Sequence, residues 1–185
     1  MRFRKLSRIG LGTIVASLIL LSAAVLLTVT ASRYATSVTR SRSSGEEMRI
    51  NKEKLWMDGS GAVVAFKAEN IGSKELIVIG VTVRKVEMSW DSIYCYMVPL
   101  RSTFSDELSI MSDGSLTGDY VIVDGMNFTR SEGYMPFKIG ESALFYIKGP
   151  PNIHFEDIGT EVDLGLITLN GHFMSTVTIE SATKQ

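Results

Sequence analysis

One cysteine, two histidines and four prolines are all that the 185 residues hold of those three types. A lone cysteine, Cys95, excludes an intrachain disulfide, and a domain of this size can bury enough apolar surface without one. The histidines, His154 and His172, stand in no ligand spacing with each other or with Cys95, which argues against a zinc site. No proline precedes Pro99, so nothing in the N-terminal part breaks a helix through ring geometry. Residues 1–42 contain no acidic side chain, and Ile9 to Ser32 contain no charged one. A phosphate-binding glycine loop and a G-x-S-x-G elbow are both missing, so two large classes of enzyme lack their signature.

The remaining polar clusters have plain explanations. In Ile93-Tyr94-Cys95-Tyr96-Met97, alternation sets Cys95 beside Ile93 and Met97, as a small buried hydrophobe rather than a nucleophile. Asp113-Gly114-Ser115-Leu116-Thr117-Gly118-Asp119 lacks the carboxylate rhythm and terminal Glu of a calcium loop and reads as a polar turn. Asp106-Glu107 and Glu156-Asp157 are adjacent pairs, which face opposite ways in a strand and fit solvated loops. The expectation is a protein that is not an enzyme and needs no cofactor.

What is present is a strong asymmetry. Residues 1–42 carry seven Lys/Arg and a net charge of +7, whereas residues 43–185 carry a net charge of −8. A basic, apolar N-terminus joined to a mildly acidic globular part points to a membrane. The basic residues flank an apolar run and do not alternate with aromatics, so no nucleic-acid partner is expected. Ile9 to Ser32 is 24 uncharged residues, about 36 Å as a helix against a hydrocarbon core of about 30 Å. Helix formers continue past it to about Arg42, and Ser43-Ser44-Gly45 ends the run. Arg2, Arg4, Lys5 and Arg8 precede the run, which favours a cytoplasmic N-terminus with the rest of the chain outside.

Three uses of such a segment compete. One is a secretory signal peptide cleaved after Ala31, where Val29-Thr30-Ala31 offers suitable small residues, although the apolar region exceeds the usual length. Another is a simple anchor. The third follows from a resemblance. Arg8-Ile9-Gly10-Leu11-Gly12-Thr13-Ile14-Val15-Ala16-Ser17-Leu18-Ile19-Leu20 resembles the N-terminus of archaeal type IV pilins and archaellins, over roughly the first 35 residues. The resemblance implies a basic leader, 1–10, removed by a membrane aspartyl peptidase between Gly10 and Leu11. A cut before Leu6 is the alternative. It further implies a transmembrane and filament-core helix, 11–42, and an extracellular domain, 43–185. The glutamate usual near the fifth mature position of bacterial pilins is lacking here, which argues against the bacterial branch. A helix that moves from lipid into a helical core must be apolar all round and carry small residues for close approach. Gly12 and Ala16 form such a pair, with Ser17, Ser22, Ala23 and Ala24 near them.

Beyond Arg49 the pattern changes to short β-branched and aromatic runs. Strands are expected at Ala62–Ala68, Leu76–Arg84, Ile93–Val98, Tyr120–Val123, Ala143–Lys148, Val162–Leu169 and Phe173–Ile179, with weaker ones at Lys52–Met57 and Leu108–Met111. Asn70-Ile71-Gly72-Ser73 reads as the turn of a hairpin between the first two, an arrangement also similar to one in many archaeal pilins and archaellins. Longer loops are expected at Pro99–Asp106, Ser112–Gly118, Asp124–Gly140 and Gly149–Gly159. The fold class is therefore α+β: a long hydrophobic N-terminal α-helix followed by an antiparallel, Ig-like β-sandwich. Asn127-Phe128-Thr129 is an N-glycosylation sequon in one of those loops, so an N-linked glycan on Asn127 is the one modification expected.

With these features, the resemblance implies a subunit of an extracellular pilus-like or archaellum-like filament. It would be inserted in the cytoplasmic membrane before assembly, processed by a prepilin-type peptidase, passed to a filament assembly machinery, and polymerised with copies of itself for adhesion or motility. The alternative keeps both parts without polymerisation. It is a single-pass protein holding a β-sandwich outside the membrane as an accessory or binding module, as archaellum stator proteins do.

Overall fold

The structure is a computed structural model that describes residues 4–43, 45–99 and 107–182, with helix side chains described from 12 to 34. The chain divides into two units, Met1–Ser44 and Gly45–Gln185. The described residues of the first form one helix, α1 (Arg4–Ser43), which runs unbroken through the uncharged segment.

Among its described residues the second unit holds eleven strands: β1 (Met48–Asp58), β2 (Gly61–Asn70), β3 (Leu76–Val83), β4 (Val86–Glu87), β5 (Ile93–Val98), β6 (Tyr120–Val123), β7 (Met126–Arg130), β8 (Met135–Phe137), β9 (Ser142–Lys148), β10 (Glu161–Thr168) and β11 (His172–Ser181). They form one mostly antiparallel sheet in the order β4-β3-β10-β11-β1-β2-β9-β5-β7-β6, with β8 also on β3. β11 joins the halves: its length pairs with β10, and its last residues run parallel to β1, with Leu55 opposite Ile179. The sheet folds on itself, so that β1, β2, β9 and β5 face β3, β8, β10 and β11 across one core that includes Val64, Phe66, Val81, Phe137, Phe145 and Leu164. Phe66 and Phe145 are cross-strand partners with rings stacked 4.8 Å apart, and Phe137 stacks on Phe145 from the opposing layer at 6.4 Å.

A second apolar cluster lies on the other face of β1, β2, β5 and β9, formed by Trp56, Val63, Ala65, Tyr94, Leu144 and Tyr146. Two things cover it. One is the β6–β7 hairpin, which inserts Val123 and Phe128, the latter edge-on to Tyr146. The other is the segment from Glu107 to Gly118, which supplies Leu108 and Leu116. This segment has no strand ladder, so side chains of the sheet satisfy its carbonyls instead. Trp56 Nε1 donates to Met111 O (2.5 Å), Tyr146 Oη to Ser109 O (2.8 Å), Tyr94 Oη to Gly118 O (3.0 Å) and Lys148 Nζ to Leu116 O (3.0 Å).

The expected helix and a large antiparallel sheet are both found, but three local expectations need correction. First, β2 and β3 are not a hairpin. Both edges of β2 are taken, by β1 and β9, so the turn at Asn70 carries the chain to the opposing layer. Asn70 is fully buried and acts as the corner post: Nδ2 donates to the carbonyls of Lys74, Phe137 and Lys138, and Oδ1 accepts from Gly72 N. Gly72 fits beneath it because a Cβ there would sit 2.7 Å from Glu47 N. Second, Leu108–Met111 forms no strand but belongs to the covering segment just described. Third, Asp124–Gly140 is not a loop. It holds β7 and β8, and Asp124 and Gly125, at φ of 51° and 77°, make the tight two-residue turn of the β6–β7 hairpin.

Candidate functional site

The feature that sets this chain apart is the surface of α1. Gly12–Tyr34 contains an 18-residue window with a mean hydropathy of 2.5, and none of its residues is buried. Large apolar side chains point in every direction around the axis: Ile14, Leu18, Leu20, Leu21, Leu26 and Leu27 are each about 60–70 % exposed. A helix with one apolar stripe packs on a soluble core, whereas one apolar all round needs a dry environment on every side. The hydroxyls in the segment do not spoil this. Ser17 and Ser22 donate to the carbonyls of Ile14 (2.8 Å) and Ile19 (2.9 Å), three residues back. Thr28 and Thr30 donate to Ala24 O (2.8 Å) and Leu26 O (2.5 Å), four residues back. Each of these four thus spends its donor inside the helix and presents carbon outward, which lowers the cost of immersion in lipid or in a protein core. By length and composition α1 can cross a membrane.

Gly12 and Ala16 lie one turn apart on one side of this helix. A Cβ at Gly12 would meet nothing within 4 Å, so the notch is open to whatever packs there. Gly10 and Leu11 have helical backbone, but the Leu11 side chain lies outside the described residues, as does the expected loop Pro99–Asp106 beyond Pro99, Asp106 included.

The candidates in the β unit are spread apart. Asn127 lies in β7, not in a loop. Its side chain and that of Thr129 are exposed, while Phe128 between them is buried. Cys95 is half-buried against the inner core, and burial pushes its thiol above the ordinary range, so it stays protonated at neutral pH. His154 precedes a short 3-10 turn, where its backbone N–H donates to Asp157 Oδ2 (2.9 Å). The Asp157 carboxylate also pairs with Arg84 (2.9 Å) and is held below the ordinary carboxylate range, first by the His154 backbone bond. Asp119 pairs with Arg130. Among the described residues no group of three His, Cys, Asp or Glu could hold a metal ion. An apolar cleft of about 540 Å3 opens between the layers, lined chiefly by Leu76, Ile77, Met97, Met135 and Pro136.

Sequence reasoning missed the β6–β7 hairpin that carries Asn127. The signal was there: Val121-Ile122-Val123-Asp124-Gly125-Met126 is a β-branched run followed by Asp-Gly, a strong short-range mark of a hairpin.

No protein-family model matches the chain, and no curated protein matches it. Among solved structures it is similar to the apo PmoF2 PCuAC domain, at 10 % identity and a TM-score of 0.44, over 76 % of this chain and 98 % of that one. A likeness that loose assigns neither a family nor an activity.

Proposed function

We propose that the chain is the structural subunit of an extracellular filament of the type IV pilus or archaellum kind, which polymerises through α1. The observation that carries the reading is a helix surface that is apolar all round from Gly12 to Ser32, with the hydroxyls of Ser17, Ser22, Thr28 and Thr30 turned back on its own carbonyls. Such a surface can pass from lipid to a bundle of like helices without exposing a polar group. The resemblance of Gly10–Leu20 to archaeal pilins and archaellins supports the same reading. Within it the β unit is an Ig-like sandwich forming the outer shell. The parallel pairing of first strand with last and the core between facing layers support that assignment. Its work is adhesion or motility and involves no catalysis.

Processing and packing test it. The mature N-terminus should be Leu11. A start at Ser32 would establish secretory cleavage, and an intact Met1 a permanent anchor. Ala16→Leu should insert as well as the unaltered protein, since Leu is at least as apolar. It should lower the number of surface filaments severalfold in electron micrographs, because the larger side chain holds neighbouring backbones apart. Dispersed single copies in the membrane of the native host, with no filament, would replace this reading with a second one. That second reading is an anchored extracytoplasmic binding module, and the apolar cleft between β3, β5 and β8 is the observation that favours it.

A further inference from the structure

The β6–β7 hairpin has two faces of opposite character. Paired residues in an antiparallel ladder share a face. Val121 opposes Phe128 and Val123 opposes Met126, and these four point into the second apolar cluster. Tyr120 opposes Thr129 and Ile122 opposes Asn127, and these four point outward. The outward face is unusual for a surface. Tyr120 is 62 % and Ile122 65 % exposed, side by side on a strand that ends the sheet. Opposite them stand the Asn and the Thr of the sequon, both exposed. A surface trough of about 600 Å3 begins at Asn127 and runs past Tyr120 and Thr129 to Asp91, Arg130 and Glu132.

We propose that Asn127 carries an N-linked glycan that lies along this face, its proximal sugars resting on Ile122 and Tyr120 and its hydroxyls meeting the polar trough. Opposed side chains in a ladder stand about 5 Å apart at Cβ, so a sugar attached to Asn127 is within reach of Ile122, and the diagonal neighbour Tyr120 within reach of the next. Sugar rings have C–H faces that pack on apolar and aromatic side chains, and hydroxyl rims that need polar partners. The hairpin offers the first on one strand and the trough offers the second. The glycan thus accounts for an exposed Tyr–Ile pair that would otherwise be a liability on an edge strand. In the attachment step, Asn127 Nδ2 attacks C1 of the reducing-end sugar of a lipid-linked oligosaccharide. The N–C1 bond forms, the C1–O bond to the lipid phosphate breaks, that oxygen leaves with the electron pair, and one amide proton is lost to base. A membrane oligosaccharyltransferase facing the outside would perform it. The proposal rests on the β unit being outside the cell.

The test uses the full chain purified from its native host. Mass spectrometry of the tryptic peptide ending at Arg130 should show an oligosaccharide on Asn127. The addition should vanish in Asn127→Gln and Thr129→Ala and persist in Thr129→Ser. Seating on the hairpin is read separately. The glycosylated protein should unfold about 3 °C above Asn127→Gln. In a Tyr120→Ser, Ile122→Ser background, which alters exposed side chains only, that difference should fall by more than half. Protease shaving of intact cells reports where the β unit lies. An unmodified Asn127 on a domain that is cleaved from outside overturns the proposal and leaves the filament reading standing. A domain protected inside the cell overturns both. A glycan whose stabilising shift is unchanged by the double serine variant overturns the seating on Ile122 and Tyr120.

Discussion

The helix and the β unit are both rich in apolar side chains but dispose of them in opposite ways. In the β unit Val64, Phe66, Phe145 and Leu164 are completely buried, and the chain itself provides every wall of that core. In α1, Leu20 and Leu27 are each 71 % exposed, and no residue from Gly12 to Tyr34 is buried. At about 25 cal/mol for each Å2 of apolar surface kept from water, the first arrangement is complete and the second is not. The β unit is therefore expected to fold by itself. The helix needs lipid or other helices, and this need is what makes it the functional part of the proposed polymer.

The sharpest way to break the comparison is to damage one region and watch the other. Phe145→Ala removes the middle ring of the Phe66–Phe145–Phe137 stack and should cost about 3–5 kcal/mol by chemical denaturation of a segment starting at Gly45. Membrane fractionation of the full chain should be unaffected. Circular dichroism of that same segment should be dominated by strand, and a requirement for α1 in order to fold would abolish the contrast. The reverse experiment is Leu18→Asp. It should raise the apparent cost of insertion by about 3 kcal/mol and prevent assembly, while the β unit keeps its denaturation midpoint.

A smaller effect is expected at the corner between the layers. Asn70→Ala leaves the carbonyls of Lys74, Phe137 and Lys138 without the amide that serves them, in a place where the side chain is fully buried. The loss should be about 2 kcal/mol, the cost of unsatisfied buried polar groups, again with no change in membrane fractionation.

How much of this was legible in the sequence also differs between the two regions. The helix was legible because its signal is local: an uncharged run of membrane length needs no partner to be recognised. The strands were legible where alternation stayed in phase, as at β10, or where a short apolar run was continuous, as at β9, which is buried on both faces. They were not where the phase breaks. In β1, Met48 and Ile50 face the inner core, and so do Leu55 and Met57, because a bulge between Asn51 and Lys54 shifts the pleat by one residue. A strict period of two therefore found only part of the strand. The supposed β2–β3 hairpin failed for a different reason. Asn70-Ile71-Gly72 does turn the chain, but a turn does not say which strands pair, and β1 and β9 had claimed both edges of β2. At the candidate modification site, the Asn-Phe-Thr triplet was plain from the start. Its opposition to Ile122 and Tyr120 depends on hairpin register, which the Asp124-Gly125 turn encodes.

The smallest expected effect separates the regions by pH. Between Gly12 and Ser32 the helix has no titratable side chain, so acid should leave its insertion unchanged. The β unit has carboxylates that its fold holds below their ordinary range. Glu46 is lowered chiefly by the hydroxyl of Thr168 (2.6 Å), with Asn170 (2.7 Å) bonding its other oxygen, and this ties the start of the unit to the β10–β11 turn. Asp58 is lowered chiefly by the Ser60 hydroxyl in the β1–β2 turn. A carboxylate depressed in the folded state binds its proton more readily in the unfolded chain. Its stabilising contribution is therefore complete above the unfolded value and disappears as the pH falls through the folded one. The denaturation midpoint of the segment from Gly45 should thus be flat near neutrality and decline between about pH 5 and pH 2. Glu46→Gln should be less stable than the unaltered segment at pH 7 and should show a shallower decline, because an amide carries no charge for acid to remove. An equally steep decline in Glu46→Gln would mean that the Thr168–Glu46–Asn170 tie contributes nothing to acid sensitivity, and that the response belongs to Asp58 and the other turn carboxylates.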